Sequence, residues 1–331
     1  MKVIHLFLAF CAVLSASGQT VAYTTPSGYV KNDLVVGFNP IGINLHGEVL
    51  VSGTVDSVNG AGDTFTDADA DFSTVLSTAN LATNTYLLEI TSADTADGSA
   101  LNQNGAVAVV TGATATTVTI EGGGVDSGEA TYTIRQARNL NEIFGTGANA
   151  QLAGGTTTAG ADIVWLPDGS GSYNQYFYST FGGANEFRST ATAFASPPQP
   201  ISVFYPDGLF VQIASTAKTV TIFGEIKTTP TIAAASPGFN LVALQNPTGQ
   251  TLAETGIENF ITTGTTPSAA DIIWVPTGPG TFNEYFFSTF SGANVWRLKG
   301  SPFFGDEGTV TLPSSFFIQR NSATGTAGAI T

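Results

Sequence analysis

The chain has 331 residues and a formal net charge of −15, from 25 acidic and 10 basic side chains. This acidic balance argues against nucleic acid or anionic lipid as a partner, because both attract clustered lysine and arginine. The chain has 2 histidines and 1 cysteine. A zinc site with several histidine ligands is therefore excluded. A Ser-His-Asp apparatus would have to use His46, for which the sequence offers no positioned partner.

The first 18 residues have the pattern of a bacterial export signal. Lys2 precedes an apolar stretch over residues 3–14, and small residues follow at 15–18. The apolar stretch is too short to span a membrane, and no second one of spanning length follows. A lipoprotein signal ending at Cys11 is the alternative. We expect a protein that is secreted or held at the cell surface of a bacterium, without a membrane span or a cysteine.

Residues 19–138 are predicted to form an N-terminal β domain with a barrel-like meander. Short apolar or alternating runs at 47–51, 85–90, 106–110, 116–120 and 131–135 favour strands, and glycines at 122–124 favour a turn. A helical turn is expected at 71–76. The segment 24–43 has the character of a strand lent to another unit, either within its own subunit or in a neighbour.

A block of 28 residues occurs twice in the second half of the chain. Residues 161–188 align with 270–297 at a constant offset of 109, and 17 of the 28 positions are identical. The duplication predicts β repeat 1 at 139–231 and β repeat 2 at 238–331, with helical turns at 140–144 and 252–260. Residues 324–331 make at best a weak last strand. The predicted fold is all-β: a small barrel-like N-terminal unit followed by two tandem β-sandwich-like repeats.

Several short motifs resemble those of an uncharacterised family of exported bacterial repeat proteins of the verrucomicrobial type. They are the acidic run at 66–73, the Thr-Tyr-Thr-Ile-Arg strand at 131–135, the Tyr-Phe-x-Ser-Thr-Phe strands, and Phe-Phe-Ile-Gln-Arg at 316–320. The first repeat departs from this last pattern, with Ile213 where the second has Arg320. The resemblance implies export and the repeat layout. It implies no activity, because the family has none assigned.

Four acidic residues form a run that is a calcium candidate: Asp63, Asp67, Asp69 and Asp71. Carboxylates at alternate positions in a loop can converge on Ca²⁺, which takes six to eight oxygen ligands. An EF-hand starting at Asp67 is excluded, because Phe72 occupies the position that requires glycine. The alternative is a turn in which Asp67 or Asp69 caps a helical turn and Phe72 enters the core.

Both copies of the repeat are rich in aromatic residues, and Trp165 and Trp274 are the strongest ligand candidates among them. Exposed indole rings can stack on sugar rings, which makes a glycan a possible partner. Alternate residues of a strand point to opposite faces, so with aromatics on both sides at least one face is core. Packing of the repeats is the alternative role for these rings.

The duplicated block also carries matched charges. Asp162 matches Asp271, Arg188 matches Arg297, and Glu284 matches an uncharged Gln175. A glycosidase needs two carboxylates that flank one bond, and the mismatch at Glu284 allows at most one working copy. We expect each arginine to make the same internal contact, with Asp162 and Asp271 as its partners.

These features favour a protein that is not an enzyme and that requires no cofactor, with calcium as the open possibility. We expect a structural or adhesive protein of a cell-surface or extracellular assembly, with itself or other cell-surface proteins as partners. A carbohydrate-binding protein that uses Trp165 and Trp274 is the alternative. A glycan-cleaving enzyme is a third class that the sequence leaves open.

Overall fold

The computed structural model describes residues 25–93, 104–122, 125, 130–192, 195–197, 200–321 and 328–330. The fold is all-β, as predicted, with 43% of residues in strands and 10% in helices. The predicted signal peptide at 1–18 lies outside the described residues. No helix in the described part of the chain is long and apolar enough to cross a membrane.

The described residues of the first half of the chain form nine strands and one short helix. In order they are β1 (Ser27–Leu34), β2 (Gly37–Ile41), β3 (Val49–Thr54), β4 (Ser57–Val58), β5 (Thr64–Thr66), α1 (Thr78–Thr83), β6 (Tyr86–Ser92), β7 (Val107–Ala113), β8 (Thr117–Ile120) and β9 (Thr131–Gln136). All five strands predicted in this half are present.

The second half begins with a helix and continues almost entirely in strands. The elements are α2 (Leu140–Phe144), β10 (Ile163–Pro167), β11 (Tyr173–Ser179), β12 (Glu186–Ser189), β13 (Leu209–Ile213), β14 (Lys218–Glu225), β15 (Thr231–Ala233), β16 (Gly238–Ala243), β17 (Ile272–Gly278), β18 (Thr281–Ser288), β19 (Val295–Leu298), β20 (Ser315–Arg320) and β21 (Gly328–Ile330). Single turns of 3₁₀ helix occur at Gly147–Asn149, Phe181–Gly183, Thr190–Thr192, Ile257–Asn259, Pro267–Ala269 and Phe290–Gly292.

Local capping explains where the short helices lie. The prediction for α2 is confirmed, because Asn139 and Glu142 form a reciprocal capping box at its start. The turn at 71–76 is a single turn, closed by a hydrogen bond from Leu76 N to Phe72 O. The longer helix α1 follows it, because the Ser77 side chain caps its first turn. The turn predicted at 252–260 is reduced to Ile257–Asn259.

Strands β3 to β9 form one sheet that curls into a barrel. Its strand order is β3-β9-β6-β7-β8-β5-β4. Only Val55 and Asp56 separate β3 from β4, and their backbone amides donate to Ala130 O and Thr66 O at opposite ends of that order. The two edges of the sheet therefore meet. The interior holds a buried aromatic cluster in which the rings of Phe65 and Tyr132 lie 4.9 Å apart.

The remaining strands form two five-stranded and two two-stranded antiparallel sheets. The larger sheets have the orders β12-β11-β10-β13-β2 and β16-β20-β17-β18-β19. The duplicated block supplies β10, β11 and β12 to the first and β17, β18 and β19 to the second. The smaller sheets are β1-β14 and β15-β21. We call β1, β2 and β10 to β14 the first unit and β15 to β21 the second unit. Each strand of the first unit has a counterpart at the same place in the sheets of the second.

The segment at 24–43, which was predicted to add a strand to another unit, pairs with the first unit of the same chain. β2 pairs with β13, and β1 pairs with β14 over eight residues, from Ser27 opposite Glu225 to Leu34 opposite Lys218. The barrel consequently lies between β2 and α2 in the sequence. The first unit is discontinuous along the chain, whereas the second runs without interruption.

The two units meet through an extension of β13. Gly208 N donates to Leu241 O and Ala243 N donates to Pro206 O, both at 3.0 Å. Gly42, which follows β2, lies so close to Ser314 O that a Cβ atom would be only 1.9 Å from it. These contacts set the two large sheets side by side and position their outer faces next to each other.

Candidate binding surface

Strand alternation sends the two predicted tryptophans to the outer faces of the large sheets. On β10, Val164 and Leu166 enter the core, and Trp165 between them is half-buried on the opposite face. On β17, Ile273 and Val275 are buried in the same way, and Trp274 faces outward. Each indole therefore lies on the face of its sheet opposite the larger core, where Trp274 packs against a smaller buried cluster of Ala270, Ile272 and Phe286.

Eight aromatic rings form what we call the aromatic surface. They are Phe38, Trp165, Tyr173 and Phe210 on the first sheet, and Phe239, Trp274, Phe282 and Phe317 on the second. On the first sheet, Phe38 lies edge-on to Trp165 at 5.3 Å between centroids and to Phe210 at 6.0 Å. On the second sheet, Phe239 repeats this geometry with Trp274 at 5.3 Å and Phe317 at 6.2 Å.

The two ring clusters join into one surface. Phe210 of the first sheet and Phe317 of the second are 5.7 Å apart. Tyr173 and Phe282 extend the surface on either side, at 5.6 Å from Phe210 and 5.7 Å from Phe317. Its most exposed rings are Phe38, which is 44% exposed, and Phe239, which is 58% exposed.

Both indoles are held in place by the same hydrogen bond. Trp165 Nε1 donates to Gln212 Oε1 at 3.2 Å, and Trp274 Nε1 donates to Gln319 Oε1 at 3.0 Å. The second indole also has two charged neighbours, Lys299 and Glu284. There Lys299 lies 5.6 Å from the ring and forms a salt bridge with Glu284.

The structure does not gather Asp63, Asp67, Asp69 and Asp71 into a metal site, and calcium binding by this run stays a prediction. The described residues contain no group of three or more His, Cys, Asp or Glu side chains that could hold an ion. Asp67 Oδ1 accepts from the amides of Asp69 and Ala70, and its Oδ2 accepts from Tyr132 OH at 2.7 Å.

The carboxylates of Asp63 and Asp71 are engaged in turns of their own. Asp71 Oδ1 accepts from the amide and hydroxyl of Ser73, and these hydrogen bonds hold the pKa of Asp71 below its usual value. Asp63 Oδ1 accepts from Asn59 Nδ2. The backbone thus competes for the oxygens that calcium would need, and Phe72 packs in the barrel core as the turn interpretation predicts.

Asp162 and Asp271, the matched acids of the two repeats, connect loops to strand ends through hydrogen bonds. Asp162 accepts from Ala153 N at 2.7 Å and from Ala214 N at 2.9 Å. Asp271 makes the equivalent bonds, from Thr262 N and Asn321 N, both at 2.8 Å. Each buried carboxylate therefore fastens the loop before one central strand to the end of its neighbour.

The arginine partners predicted from the repeat are wrong. Arg188 forms a salt bridge with Glu186 at 2.8 Å, two residues earlier on the same strand. Asp271 is paired instead with Arg320, at 3.1 Å from its Nε atom. Asp162 Oδ2 has Lys218 Nζ at 3.9 Å in place of an arginine, and valine replaces Glu186 at the matching position of the second repeat. The sequence contains no signal that distinguishes these partners.

A second polar site, which we call the junction cluster, lies where the barrel meets both large units. It consists of His46, Glu89, Arg135, Tyr205 and Lys227, all at least nine-tenths buried. Glu89 is its centre: it accepts from Arg135 Nε at 3.1 Å and from Tyr205 OH at 2.5 Å, and Lys227 Nζ is 3.9 Å from its second oxygen.

Burial and charge shift the pKa values of the junction cluster strongly. Burial, reinforced by the positive charge of Arg135, lowers the pKa of His46 to about 3. Burial lowers the pKa of Lys227 to about 8 in spite of the nearby Glu89 carboxylate. Burial and the same carboxylate raise the pKa of Tyr205 well above its usual value. Sequence reasoning missed this cluster, although Glu89 in the apolar run of β6 was its one visible signal.

No family model matches the chain, and neither a curated protein nor a solved structure matches it. Any functional interpretation therefore depends on the aromatic surface and the other side-chain clusters of the chain itself.

Proposed function

We propose that this is an exported structural or adhesive protein that attaches to its partners through the aromatic surface. The supporting observation is the continuity of eight rings, two of them exposed and six partly buried, across two corresponding sheets. Monomeric soluble proteins rarely expose contiguous apolar patches of this kind, and those that do use them for interaction. Aromatic side chains are enriched in interfaces and supply much of their binding energy.

The arrangement of the surface also supports an adhesive role. The rings lie on sheets whose opposite faces are anchored in hydrophobic cores, so the surface is rigid before any partner binds. A preorganised surface loses little conformational entropy on association. The partner is a second copy of the chain or another cell-surface protein. The predicted export signal and the resemblance to exported repeat proteins remain predictions that agree with this role.

The double variant Trp165→Ala/Trp274→Ala tests the proposal. We expect at least a tenfold loss of binding to isolated cell envelopes, or of self-association in sedimentation velocity, with the fold intact by circular dichroism. Phe304→Ala is the control, because Phe304 is 77% exposed but lies outside the aromatic surface. Unchanged attachment and unchanged mass in the double variant would contradict the proposal.

Carbohydrate binding by Trp165 and Trp274 is the second candidate function. It is favoured by the amide groups of Gln212 and Gln319, which fix the two indoles by hydrogen bonds beside their neighbouring rings. Sugar rings stack on aromatic rings held in this way. Single variants separate the two sites on a glycan array. Trp165→Ala and Trp274→Ala should each remove about half of the bound saccharide if both indoles bind it.

A further inference from the structure

The two units are related by an approximate twofold axis. Phe210 on β13 and Phe317 on β20 hold corresponding places, because Phe210 lies opposite Trp165 and Phe317 lies opposite Trp274. The rings of these two counterparts contact each other, with centroids 5.7 Å apart. Direct contact between counterparts is typical of an isologous interface, in which both partners use the same surface. A shift of one sheet alongside the other would not bring counterparts together.

A second pair of counterparts lies on the same axis. Gly42 and Ala243 each follow four residues after a matched phenylalanine, Phe38 on β2 and Phe239 on β16. A Cβ atom at Gly42 would lie only 2.9 Å from the Cβ atom of Ala243. The axis therefore runs through the joint between the units and through the middle of the aromatic surface.

This axis divides the aromatic surface into two matching halves. The counterparts are Phe38 and Phe239, Trp165 and Trp274, Tyr173 and Phe282, and Phe210 and Phe317. A partner without twofold symmetry would have to contact the two halves in different ways. A second copy of the chain, packed face to face, covers both halves with the same contacts. Such a pairing is closed, because it leaves neither half free for a third copy.

The charge of the chain also favours this surface for contact between copies. The formal net charge is −15, so two copies repel each other over most directions of approach. The eight rings carry no charge, and Lys299 and Glu284 beside Trp274 neutralise each other in a salt bridge. On this face, burial of apolar rings can therefore offset the repulsion between two acidic chains.

We propose that the aromatic surface binds a second copy of the chain in a closed dimer, with the approximate twofold axes of the two copies on one line. The four units of this dimer are then arranged with the symmetry of a D₂ tetramer. The inference rests on the adhesive function proposed above, because it names the partner of the same surface.

Sedimentation velocity of the purified protein over a range of concentrations tests the dimer. Phe38→Glu and Phe239→Glu each place one carboxylate per copy in the interface, and we expect each to weaken dimerisation at least tenfold. The two losses should be similar, because the residues are counterparts. Phe223→Glu is the matched control, since Phe223 is 61% exposed, close to the 58% of Phe239, but lies outside the aromatic surface. Circular dichroism checks that each variant is folded.

Ionic strength distinguishes a second copy from a basic partner. Added sodium chloride screens the repulsion between two acidic chains, so the dimer should become tighter. Binding of a basic protein to an acidic one should instead become weaker as salt is added. Dissociation of the dimer on addition of salt would contradict the proposal.

The proposal is overturned if the protein is monomeric at millimolar concentration, if it grows into assemblies larger than a dimer, or if either glutamate variant leaves the dimer intact. The adhesive function is judged separately. A monomeric protein whose attachment to envelopes is lost in Trp165→Ala/Trp274→Ala keeps that function and refutes the dimer. A dimer that Phe38→Glu and Phe239→Glu both disrupt supports the present proposal whether or not envelopes bind.

Discussion

Glu89 connects three parts of the chain through one carboxylate. It lies on β6 of the barrel, accepts from Tyr205 of the first unit, and lies near Lys227 in the segment that leads to the second. Arg135 on β9 reaches Glu225 at 3.6 Å as well as Glu89. A buried charge is stable only when its partners satisfy it, so the cluster depends on every member.

Replacing Glu89 by glutamine should therefore destabilise the protein strongly. The change leaves Arg135 and Lys227 without the carboxylate, and loss of one partner of a buried ion pair costs about 3–5 kcal/mol. Glu284→Gln, which breaks the more exposed pair with Lys299, should cost less than about 1 kcal/mol. Urea unfolding of both variants measures the difference. Equal free energies of unfolding would contradict the role given to Glu89.

The stability of the protein should fall in acid through His46. The pKa of His46 is about 3 in the folded state and 6.5 in the unfolded chain, so between these values the unfolded chain binds one more proton. The contribution of neutral His46 to the free energy of unfolding is fully present above pH 6.5 and is lost as the pH falls toward 3. The maximum slope is about 1.4 kcal/mol per pH unit.

Asp207 acts in the opposite direction over part of that range. Burial raises the pKa of Asp207 to about 6, from 3.8 in the unfolded chain. The folded protein therefore binds more protons between these values, and Asp207 stabilises it increasingly as the pH falls from 6 through 3.8. His46→Gln should remove the histidine contribution and leave that of Asp207. Urea unfolding at pH 7 and pH 4 should therefore show a smaller acid loss in the variant than in the parent. A loss of the same size in both would disprove the assignment to His46.

At the scale of elements, the strands were predictable and their partners were not. Alternation and β-branched composition identified five of the seven barrel strands within a few residues, because each signal is contained in a single strand. The two shortest strands, β4 and β5, were missed. The pairing of β1 with β14 joins residues nearly 200 positions apart, and no local pattern specifies it. The contact predicted for Arg188 was also wrong, because its partner is Glu186, two residues earlier on the same strand.

The close approach of Gly42 to the second unit gives a direct test of the joint between the sheets. A Cβ atom at Gly42 would lie 1.9 Å from the backbone oxygen of Ser314, so Gly42→Ala must push the units apart. We expect a loss of about 1–3 kcal/mol, the usual cost of overpacking. Gly28→Ala on β1 is the control, because no atom lies within 4 Å of the added carbon. Thermal unfolding should distinguish the two variants, and matching melting temperatures would refute the tight joint.

At the scale of the whole molecule, the barrel is an insertion within the first unit. It has a hydrophobic core of its own, and its entry and exit are adjacent, with Val49 opposite Arg135. The first unit, in contrast, is assembled from segments on both sides of the barrel. Its core includes Leu34 and Ile41 from β1 and β2 together with Val211 and Val220 from β13 and β14.

Two shortened chains test this architecture. A chain of residues 47–137 should unfold cooperatively by circular dichroism, because it keeps all seven barrel strands. A chain of residues 139–331 should lack a folded first unit, because β13 and β14 lose the partners that cover their edges. Hydrogen exchange can then compare β10 in that chain with β17 as an internal reference. Full protection of both strands would contradict the insertion.

The sequence by itself determined that the protein is all-β, that a block of it is duplicated, and that both copies carry a matched tryptophan. These properties depend on alternation and composition within a few neighbouring residues. Only the tertiary structure decided that β1 and β2 complete the first unit, that eight rings join into one surface, and that Glu89 lies among three cationic and phenolic side chains. Those outcomes depend on register and on contacts between distant segments, which a strand pattern leaves open.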